Sequence, residues 1–385
     1  MEQLISSEFK LGIISGGQLG KMMILVASKW DIQTYVLDSS PSCPSADICH
    51  HFTQGDVKNY DDVFEFGQKV DMIALEVENV NVDALSDLQK QGKQIFPDPA
   101  ILRIIQDKGL QKKFYADHQI PTADFKLYES KDSILEAVNQ KKLSLPFVQK
   151  TRTAGYDGKG VKVVKEQEDL NNLLEGPSVV EDLTDIKKEL SVIVAQNTKN
   201  EIRAFPTVEM VFNEDANLVE QLICPAAISN DIKNQVEELA IDLTKKLKLE
   251  GILAVELFLT HDNDILVNEV APRPHNSGHH TIEGTITSQY EQYLRAIFGF
   301  SLGDTSIKLP SVMINLLGEP NYSGKVKYEG VDESMGIAGV NIHIYGKKET
   351  RPFRKMGHVT VIDKDIKQAI EKANKVKQLL KVKAW

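Results

Sequence analysis

The sequence predicts a fold of the α/β and α+β classes, in which a parallel sheet opens the chain and antiparallel hairpins follow. Three observations support this prediction. Residues 9–38 alternate as strand, glycine-rich turn, helix and strand, which is the βαβ pattern of parallel sheets. Residues 146–164 and residues 253–269 each contain two apolar segments around a glycine-rich or polar connection, which indicates a hairpin.

The opening unit begins with an apolar strand, Phe9–Ile14, and a turn, Ser15–Gly20. The next residues predict a helix with an apolar stripe, and the second strand ends in Asp38. This pattern is close to the dinucleotide-binding fingerprint, but Ser15 stands where the first glycine belongs. Two interpretations remain open: a nucleotide-binding turn, or a tight strand-to-helix turn that needs small residues.

A further buried strand is predicted at Asp71–Glu76, with acids continuing to Glu78. Acids at the carboxyl end of a parallel strand lie where open α/β sheets bind ligands. Paired prolines at Pro97 and Pro99 then mark the end of the first unit, ahead of an apolar helix that precedes Lys108.

Residues 146–164 predict a lid, formed by two strands and the loop of residues 152–160. A Walker phosphate loop runs into a helix, whereas this loop runs into a strand, so a Walker-type fold is disfavoured. Its glycines can still bring backbone N–H groups onto phosphate oxygens, and such a lid can exclude water from a reactive intermediate. The alternative is a surface hairpin without a ligand.

Two apolar strands flank the turn-rich residues 261–264, and each carries a glutamate. If the turn is centred between Asp262 and Asn263, Glu256 and Glu269 lie directly opposite each other on one face. Like charges paired across strands are destabilising unless a cation lies between them. The pattern therefore predicts a divalent metal with oxygen ligands, for which magnesium on nucleotide phosphates is the natural candidate. The alternative is that one glutamate faces solvent.

The run from Val267 to His279 contains a carboxylate, a guanidinium and imidazoles around two prolines, which suits a metal-bound polyphosphate beside a second anionic substrate. Basic residues cluster at 347–355 in an otherwise acidic chain, which favours a phosphate-bearing ligand, although a solvated hairpin is the alternative. His358 is either part of this site or a core histidine. The helix predicted from Asp231 to Leu247 has a core stripe and is interpreted as structural.

Composition is typical of a soluble enzyme. The chain has 385 residues, 42% of them hydrophobic, and we expect no membrane-spanning segment and no secretory signal, hence a cytoplasmic location. A net charge of -10 disfavours nucleic acid as a partner. The three cysteines are widely spaced, which argues against a disulfide framework. A zinc site formed by Cys43, Cys49, His50 and His51 is disfavoured because the spacing matches no common cluster.

Three segments of the chain resemble the ATP-grasp superfamily. They are the loop of residues 152–160, the run of residues 268–279, and a C-terminal element made of residues 345–347 and 354–358. Within it, they resemble the 5-(carboxyamino)imidazole ribonucleotide synthetase family of purine synthesis. The resemblance covers nearly the whole chain and implies an ATP-grasp fold with three domains. These would be a Rossmann-like pre-ATP-grasp domain at 1–105, an ATP-grasp domain at 106–300 with its lid at about 125–185, and a C-terminal mixed-sheet domain at 301–385.

The resemblance also implies the site residues. The implied ATP site comprises Lys108, Lys150, Gly155, Tyr156, Asp157, Gly158, Lys159, Gly160, Glu181, Asp182, Leu183, Thr184, Glu189, Asn268 and Glu269. The implied ribonucleotide site comprises Tyr156, Asp157, Arg273, His275, Asn276, Lys347 and Arg354. Glu256 and Glu269 would hold Mg²⁺, with Mn²⁺ as a substitute, and the catalytic residues would be Arg273, Asp157 and Lys159.

The implied reaction uses ATP and bicarbonate to carboxylate the amino group of 5-aminoimidazole ribonucleotide, giving ADP and phosphate through carboxyphosphate. A homodimer with functional coupling to a downstream carboxyaminoimidazole ribonucleotide mutase is the further expectation. Two positions depart from the family pattern: Ala154 replaces a loop glycine, and Phe212 replaces a histidine near the nucleotide.

Three other functions stay under consideration. Another ATP-grasp ligase, such as a glycinamide ribonucleotide formyltransferase, would share ATP and magnesium but lack the terminal basic element. A nicotinamide-dependent oxidoreductase is suggested only by the opening βαβ unit. A non-catalytic binding protein is disfavoured by the presence of Glu256, Glu269 and Arg273. Fold alone cannot separate these functions.

Overall fold

The computed structural model of the protein describes residues 6–153, 155, 160–213 and 218–385. In this part of the chain, an N-terminal parallel sheet is followed by antiparallel sheets, as the sequence predicts. The α/β and α+β fold class is confirmed.

The N-terminal sheet has the strand order β3-β2-β1-β4-β5, and all its pairs are parallel. Its strands are β1 (Lys10–Ile14), β2 (Gln33–Asp38), β3 (His51–Gln54), β4 (Met72–Leu75) and β5 (Gln94–Phe96). Its helices are α1 (Gln18–Ala27), α2 (Tyr60–Gln68), α3 (Val82–Lys90) and α4 (Pro99–Gln106). The central strands β1 and β4 have apolar cores on both faces, which explains their nearly continuous apolar sequences.

Helix α5 (Lys108–Asp117) leads into a small antiparallel sheet of order β6-β9-β7-β8. Its elements are β6 (Phe125–Tyr128), α6 (Lys131–Asn139), β7 (Phe147–Thr151), β8 (Val161–Val164) and β9 (Ser178–Asp182). β7 and β8 pair as the predicted hairpin, with Lys150 opposite Val161. The residue after β7, Arg152, accepts the N–H of Lys108 at the start of α5 on its carbonyl oxygen, at 2.8 Å.

The largest sheet runs in the order β15-β14-β10-β12-β13-β16-β20-β18, with β11 added beside β10. Its first part consists of β10 (Ile186–Gln196), β11 (Ile202–Ala204), β12 (Val208–Asn213), β13 (Leu218–Cys224), β14 (Gly251–Thr260) and β15 (Ile265–Ala271). Helix α7 (Asn230–Leu247) packs on it through a buried stripe, so the predicted structural helix is confirmed. The short α8 (Thr281–Gly284) and α9 (Gln289–Ile297) follow.

Three C-terminal strands, β16, β20 and β18, extend the same sheet, because β16 pairs with β13. The strands β19, β17 and β21 form a separate three-stranded sheet. The remaining elements are β16 (Ser311–Leu317), β17 (Gly324–Glu329), α10 (Val331–Met335), β18 (Val340–Ile344), β19 (Glu349–Thr350), β20 (Lys355–Ile362), α11 (Ile366–Leu379) and β21 (Lys381–Ala384). Their strand pairs are antiparallel, with one isolated parallel bridge between Gly318 and Val382. This pairing brings the basic segment before β20 to the sheet that carries the two glutamates.

Helix α1 contacts two distant parts of the chain. Lys21 on α1 donates hydrogen bonds to the carbonyl oxygens of Ile344 and Tyr345, at 3.1 and 3.2 Å. Helix α1 also packs against α9, within one shared apolar core. In the described ranges, we find no helix with the length and apolar character that a membrane crossing requires.

Candidate active site

Two cavities meet between the N-terminal sheet, the small sheet and the C-terminal segment. The first has a volume of about 760 Å³ and is lined by the opening turn, by Asp38 and Glu76, and by Lys347 and Arg354. The second, of about 550 Å³, is lined by Lys108, Glu256 and Glu269, among others. Both are lined by Val77, Arg273, His275, Asn276 and Lys355. The shared residues form the boundary between the two cavities.

Glu256 on β14 lies directly opposite Glu269 on β15, as the sequence predicts. The turn is not centred where the sequence analysis put it, because the pairs Leu259–Ile265 and Leu257–Val267 centre it on Asp262. A register shift at the next residue then leaves Asn268 as the extra residue of a β-bulge. The bulge restores the glutamate pair, so the predicted pairing is confirmed although the assumed turn was wrong.

The two glutamates have opposite electrostatic surroundings. Glu269 accepts a hydrogen bond from Nζ of Lys108. Burial alone would raise the pKa of Glu269, but the positive charges of Lys108, Lys150 and His275 lower it. Burial raises the pKa of Glu256, and the negative charge of Glu269 raises it further. One facing carboxylate is thus held as an anion, and the other is held towards its neutral form.

The donor set fits a hard divalent cation. Two carboxylates face each other across one strand pair, and Nε2 of His275 lies 3.6 Å from Oε1 of Glu256. A cation between the carboxylates would relieve their repulsion and favour ionised Glu256. Oxygen ligands of this kind suit Mg²⁺ or Mn²⁺. Within the described residues, we find no group of three or more histidine, cysteine or acidic side chains that could hold a metal.

A buried chain of charges lies behind the second cavity. The carboxylate of Glu181 pairs with Lys150 at 2.8 Å and with Lys112 at 2.9 Å, and both Glu181 and Lys112 are almost fully buried. Lys150 also donates a hydrogen bond to Oδ1 of Asn268 at 2.9 Å. Burial lowers the pKa of Lys112, while Glu181 raises it. Lys150 is therefore held from two sides, by Glu181 of the small sheet and by the residue at the bulge.

Two of the boundary residues, Arg273 and His275, are held by partners from distant parts of the chain. The guanidinium of Arg273 pairs with Glu78 at 2.7 Å, just beyond the carboxyl end of β4. The backbone N–H of His275 donates to Oε1 of Gln289 at 2.9 Å, and Nε2 of Gln289 donates back to the His275 carbonyl at 2.8 Å. Gln289 is fully buried, so this reciprocal pair holds the His275 backbone rigidly.

Two acidic side chains, Asp38 and Glu76, accept hydrogen bonds from the opening turn and hold it in place. Ser15 has φ 75°, the left-handed conformation that the missing glycine of the fingerprint would favour. Oδ2 of Asp38 accepts hydrogen bonds from the Gly16 N–H at 2.7 Å and the Ser15 hydroxyl at 3.3 Å. Glu76 accepts the Leu19 N–H at 3.0 Å, and a Cβ on Gly17 would lie 2.3 Å from its Oε1. Asp38 is thus used to hold the turn, which disfavours a dinucleotide ribose as its partner.

The basic segment contributes four cationic side chains to the first cavity: Lys347, Lys348, Arg354 and Lys355. Nζ of Lys347 donates to the Lys355 carbonyl at 2.8 Å, and Nη1 of Arg354 donates to the Glu349 carbonyl at 2.7 Å. The backbone contacts orient Lys347 and Arg354 along one wall of the cavity.

His358 lies in the core. Its ring is stacked between those of His279 and His343, with centroid distances of 4.6 and 4.4 Å, and its Nδ1 lies 3.1 Å from the Tyr345 hydroxyl. Burial lowers the pKa of His279 and of His358 well below the usual range, so both rings are neutral. Only His279 of this stack also lines the first cavity.

Comparisons with known proteins identify the family of the chain. An ATP-grasp domain model matches residues 113–290, a ribonucleotide synthetase preATP-grasp domain model residues 9–106, and a phosphoribosylaminoimidazole carboxylase C-terminal domain model residues 311–372. The N5-carboxyaminoimidazole ribonucleotide synthase of Bacillus subtilis is 37% identical over 363 residues, which are 93% of each chain. The chain belongs to the N5-carboxyaminoimidazole ribonucleotide synthetase family.

Solved synthetases of the family have the same fold. The crystal structure of N5-carboxyaminoimidazole ribonucleotide synthetase from Thermotoga maritima has a TM-score of 0.90 at 40% identity, covering 98% of this chain and 100% of that one. The Aspergillus clavatus N5-carboxyaminoimidazole synthase, solved with ADP and 5-aminoimidazole ribonucleotide, has a TM-score of 0.87 at 29% identity, covering 97% and 98%. The phosphoribosylaminoimidazole carboxylase of Vigna aconitifolia is 37% identical, and the chain spans 64% of its length.

For a synthetase of this family, the sequence-predicted residues fall into three groups. The structure brings Lys108, Glu256, Glu269, Arg273, His275, Asn276, Lys347, Arg354 and Gly155 to the walls of the two cavities. A second group does not line either cavity: Lys150, Asn268, Glu181, Asp182, Leu183, Thr184, Glu189 and Gly160. Within this group, Lys150 donates a hydrogen bond to Asn268. Tyr156, Asp157, Gly158, Lys159 and Ala154 lie outside the described residues.

Glu189 and Phe212 need separate mention. Burial raises the pKa of Glu189 to about 7, while Lys150 opposes the shift. Phe212 lines the second cavity. An apolar ring there offers no hydrogen bond to a nucleotide.

Several residues at the synthetase site were missed by the sequence analysis. Gln18, Ser40 and Ser42 line the first cavity, and Arg152 and Lys355 line the second. Glu76 and Glu78 had been noted only as acids at a strand end. Arg152 could have been found from its place at the start of the glycine loop, whereas the serines after β2 carry no recognisable signal.

Proposed function

We propose that this synthetase uses ATP and bicarbonate to carboxylate the amino group of 5-aminoimidazole ribonucleotide, releasing ADP and phosphate. The observation that carries the proposal is the meeting of two cavities at Arg273, His275 and Asn276. The second cavity has the facing carboxylates and Lys108, which suit a polyphosphate. The first cavity has Lys347 and Arg354 along one side, here called the basic wall, which suits a ribose phosphate. An acceptor and an activated carboxyl group would thus meet at the shared boundary.

The nucleotide half would rest on Lys108, Lys150, Glu181 and Glu189, with Glu256 and Glu269 as the ligands of Mg²⁺ or Mn²⁺. When bound, the metal would neutralise charge on the phosphates. The ammonium groups of Lys108 and Lys150 would stabilise the negative charge that develops on the transferred phosphoryl group. Gly155 and Gly160 belong to the loop whose N–H groups would contact phosphate oxygens.

Bicarbonate is a weak electrophile, so its oxygen would first attack the γ-phosphorus of ATP. The bond between that phosphorus and the bridging oxygen of ADP breaks, giving carboxyphosphate and ADP. The exocyclic amine then attacks the carboxyl carbon, phosphate leaves with the C–O electron pair, and the amine loses one proton. Arg273 at the boundary would stabilise the anionic carboxyphosphate, with Glu78 fixing the guanidinium plane.

Lys347 and Arg354 would bind the phosphate of the ribonucleotide, and His275 and Asn276 would orient its imidazole ring. Asp157, Lys159 and Tyr156 lie outside the described residues, and their roles in orienting the amine and the carboxyphosphate follow from the family resemblance. We also propose a cytoplasmic homodimer that is coupled to a downstream mutase. The plant relative named a carboxylase is longer than this chain, which supports such coupling.

The test is ADP release from ATP, magnesium and bicarbonate, measured with and without 5-aminoimidazole ribonucleotide. We expect strong stimulation by the ribonucleotide, and loss of activity in Glu269→Gln. ATP turnover that is indifferent to the ribonucleotide, but stimulated by glycinamide ribonucleotide with formate, would favour the other ATP-grasp ligases instead.

A further inference from the structure

Arg152 and Asp107 form an ion pair beside the second cavity that none of the proposed roles uses. Nε of Arg152 donates to Oδ1 of Asp107 at 2.9 Å, and Nη2 donates to Oδ2 at 2.7 Å. This is the two-point geometry in which guanidinium and carboxylate planes are fixed relative to each other. The pair is only about one-fifth exposed on either side, whereas the other acid near Arg152, Glu129 at 3.8 Å, is 80% exposed.

Asp107 is also the N-cap of α5. Its Oδ1 accepts the N–H groups of Gly109 at 2.7 Å and Leu110 at 3.2 Å. The N–H of Lys108, the first residue of α5, donates to the Arg152 carbonyl at 2.8 Å. The backbone and the side chain of Arg152 therefore hold the same helix end, whose first N–H groups have no partners within the helix.

The position of this helix end decides where Lys108 reaches. Lys108 begins α5, and its Nζ donates to Glu269 across the second cavity. Arg152 itself follows β7, and its N–H donates to the Pro177 carbonyl at 3.0 Å, just before β9. Arg152 thus connects two strands of the small sheet to the helix that carries a cavity lysine. Gly109 leaves the necessary space, since a Cβ there would lie 2.6 Å from Nε of Arg152.

We infer that Arg152 is a positioning residue for the nucleotide half of the site, acting through Asp107 to align Lys108 with Glu269. The inference deepens the proposed function and rests on it, because the polyphosphate is the ligand that Lys108 would meet. A shift of the α5 end would move the Lys108 ammonium away from the phosphoryl group. Small displacements of such groups are costly in rate, by up to about a hundredfold for 1 Å.

Two substitutions remove the Arg152–Asp107 ion-pair contact while keeping the other contacts of each residue. Arg152→Lys keeps the charge and the backbone contacts but loses the two-point contact. Asp107→Asn keeps an N-cap oxygen for α5 and leaves the guanidinium in place, but removes the ion pair. Arg103→Lys is the matched control, because Arg103 pairs with Asp83 on the surface, away from both cavities.

The readouts are the KM for ATP, the KM for 5-aminoimidazole ribonucleotide, kcat, the Kd of Mg-ADP by calorimetry, and the melting temperature. We expect both variants to raise the KM for ATP about tenfold with the KM for the ribonucleotide within about twofold of wild type. The double variant should be no worse than either single one, because each removes the same contact. Arg103→Lys should behave as wild type.

Three results would overturn the inference. A normal KM for ATP in both variants would show that the pair does not matter to the nucleotide. Loss in Arg152→Lys alone, with Asp107→Asn normal, would make Arg152 a direct ligand rather than a positioning residue. A parallel rise of both KM values with a lower melting temperature would show a general structural role. If wild type shows no ribonucleotide-dependent turnover, the proposed function fails, but the Mg-ADP Kd still tests the pair.

Discussion

Glu256 and Glu269 face each other across one strand pair but have pKa shifts in opposite directions. The ammonium of Lys108 accounts for the lowered pKa of Glu269, and burial beside that anion accounts for the raised pKa of Glu256. Sequence periodicity could place both carboxylates on one face, because alternation is a property of the strand itself. It could not assign the shifts, since Lys108 comes from a helix more than a hundred residues away in the sequence.

The raised pKa of Glu256 predicts a pH-dependent stability. In the metal-free protein the folded state keeps a proton that the unfolded chain releases at the ordinary glutamate pKa. The contribution of Glu256 to the free energy of unfolding is therefore fully present below that ordinary value and is lost as the pH rises through the raised one. The slope is at most about 1.4 kcal/mol per pH unit. Urea unfolding between about pH 5 and pH 8 measures it.

Glu256→Gln should remove this part of the slope, whereas Glu65→Gln, on an exposed position of α2, should leave it. Added magnesium should stabilise wild type more at the higher pH, because it binds the ionised carboxylate. Equal slopes in wild type and Glu256→Gln would contradict the pKa assignment.

Lys347 and Arg354 predict a substrate-specific defect. Replacing both by alanine should raise the KM for 5-aminoimidazole ribonucleotide at least a hundredfold, since two charge-assisted contacts of about 1.5–3 kcal/mol each are lost. The KM for ATP should change little, because both residues line only the first cavity. Arg351→Ala, in the same exposed basic segment, is the control, and initial-rate kinetics with each substrate varied is the measurement. Normal ribonucleotide affinity in the double variant would remove these residues from the site.

At the scale of elements, the β14–β15 hairpin shows which features a sequence pattern can supply. The glutamate pair was predicted with a two-residue centre at Asp262 and Asn263, but the structure has a turn centred on Asp262 and a bulge at Asn268. A bulge inserts one extra residue into a strand, so strict two-residue alternation does not place it. Here the bulge accompanies the contact of Asn268 with Lys150, from β7. A local pattern contains no information about that partner.

A substitution in the core of helix α7 should lower stability without changing substrate binding. Leu243 is fully buried in the core beneath the large sheet, so Leu243→Ala should lower the free energy of unfolding by about 2–5 kcal/mol. Both KM values should remain normal, because α7 contributes no residue to the walls of either cavity. Chemical denaturation and kinetics below the unfolding transition test this, with the exposed Gln235→Ala as control. A changed KM without lost stability would give α7 a role in the site.

On the scale of the whole molecule, the site is built from segments at the two ends and the middle of the chain. The opening turn and the basic wall face each other across the first cavity, and Lys21 ties them through the carbonyl groups of Ile344 and Tyr345. The fold class followed from local periodicity, but this juxtaposition did not. The local cluster of basic residues favoured a phosphate ligand, and the resemblance to a family singled out Lys347 and Arg354 within it, but nothing local indicated Gln18, Ser40 or Ser42 across from them.

The central claim is that bicarbonate is activated by ATP and delivered to the ribonucleotide. The most direct test uses ¹⁸O-labelled bicarbonate and follows the label into the released phosphate by ³¹P nuclear magnetic resonance, with and without 5-aminoimidazole ribonucleotide. Attack of a bicarbonate oxygen on the γ-phosphorus predicts one labelled oxygen per phosphate, with release strongly stimulated by the ribonucleotide. Unlabelled phosphate would mean that another nucleophile attacks ATP, and labelled phosphate released at the same rate without the ribonucleotide would mean that the acceptor is another molecule.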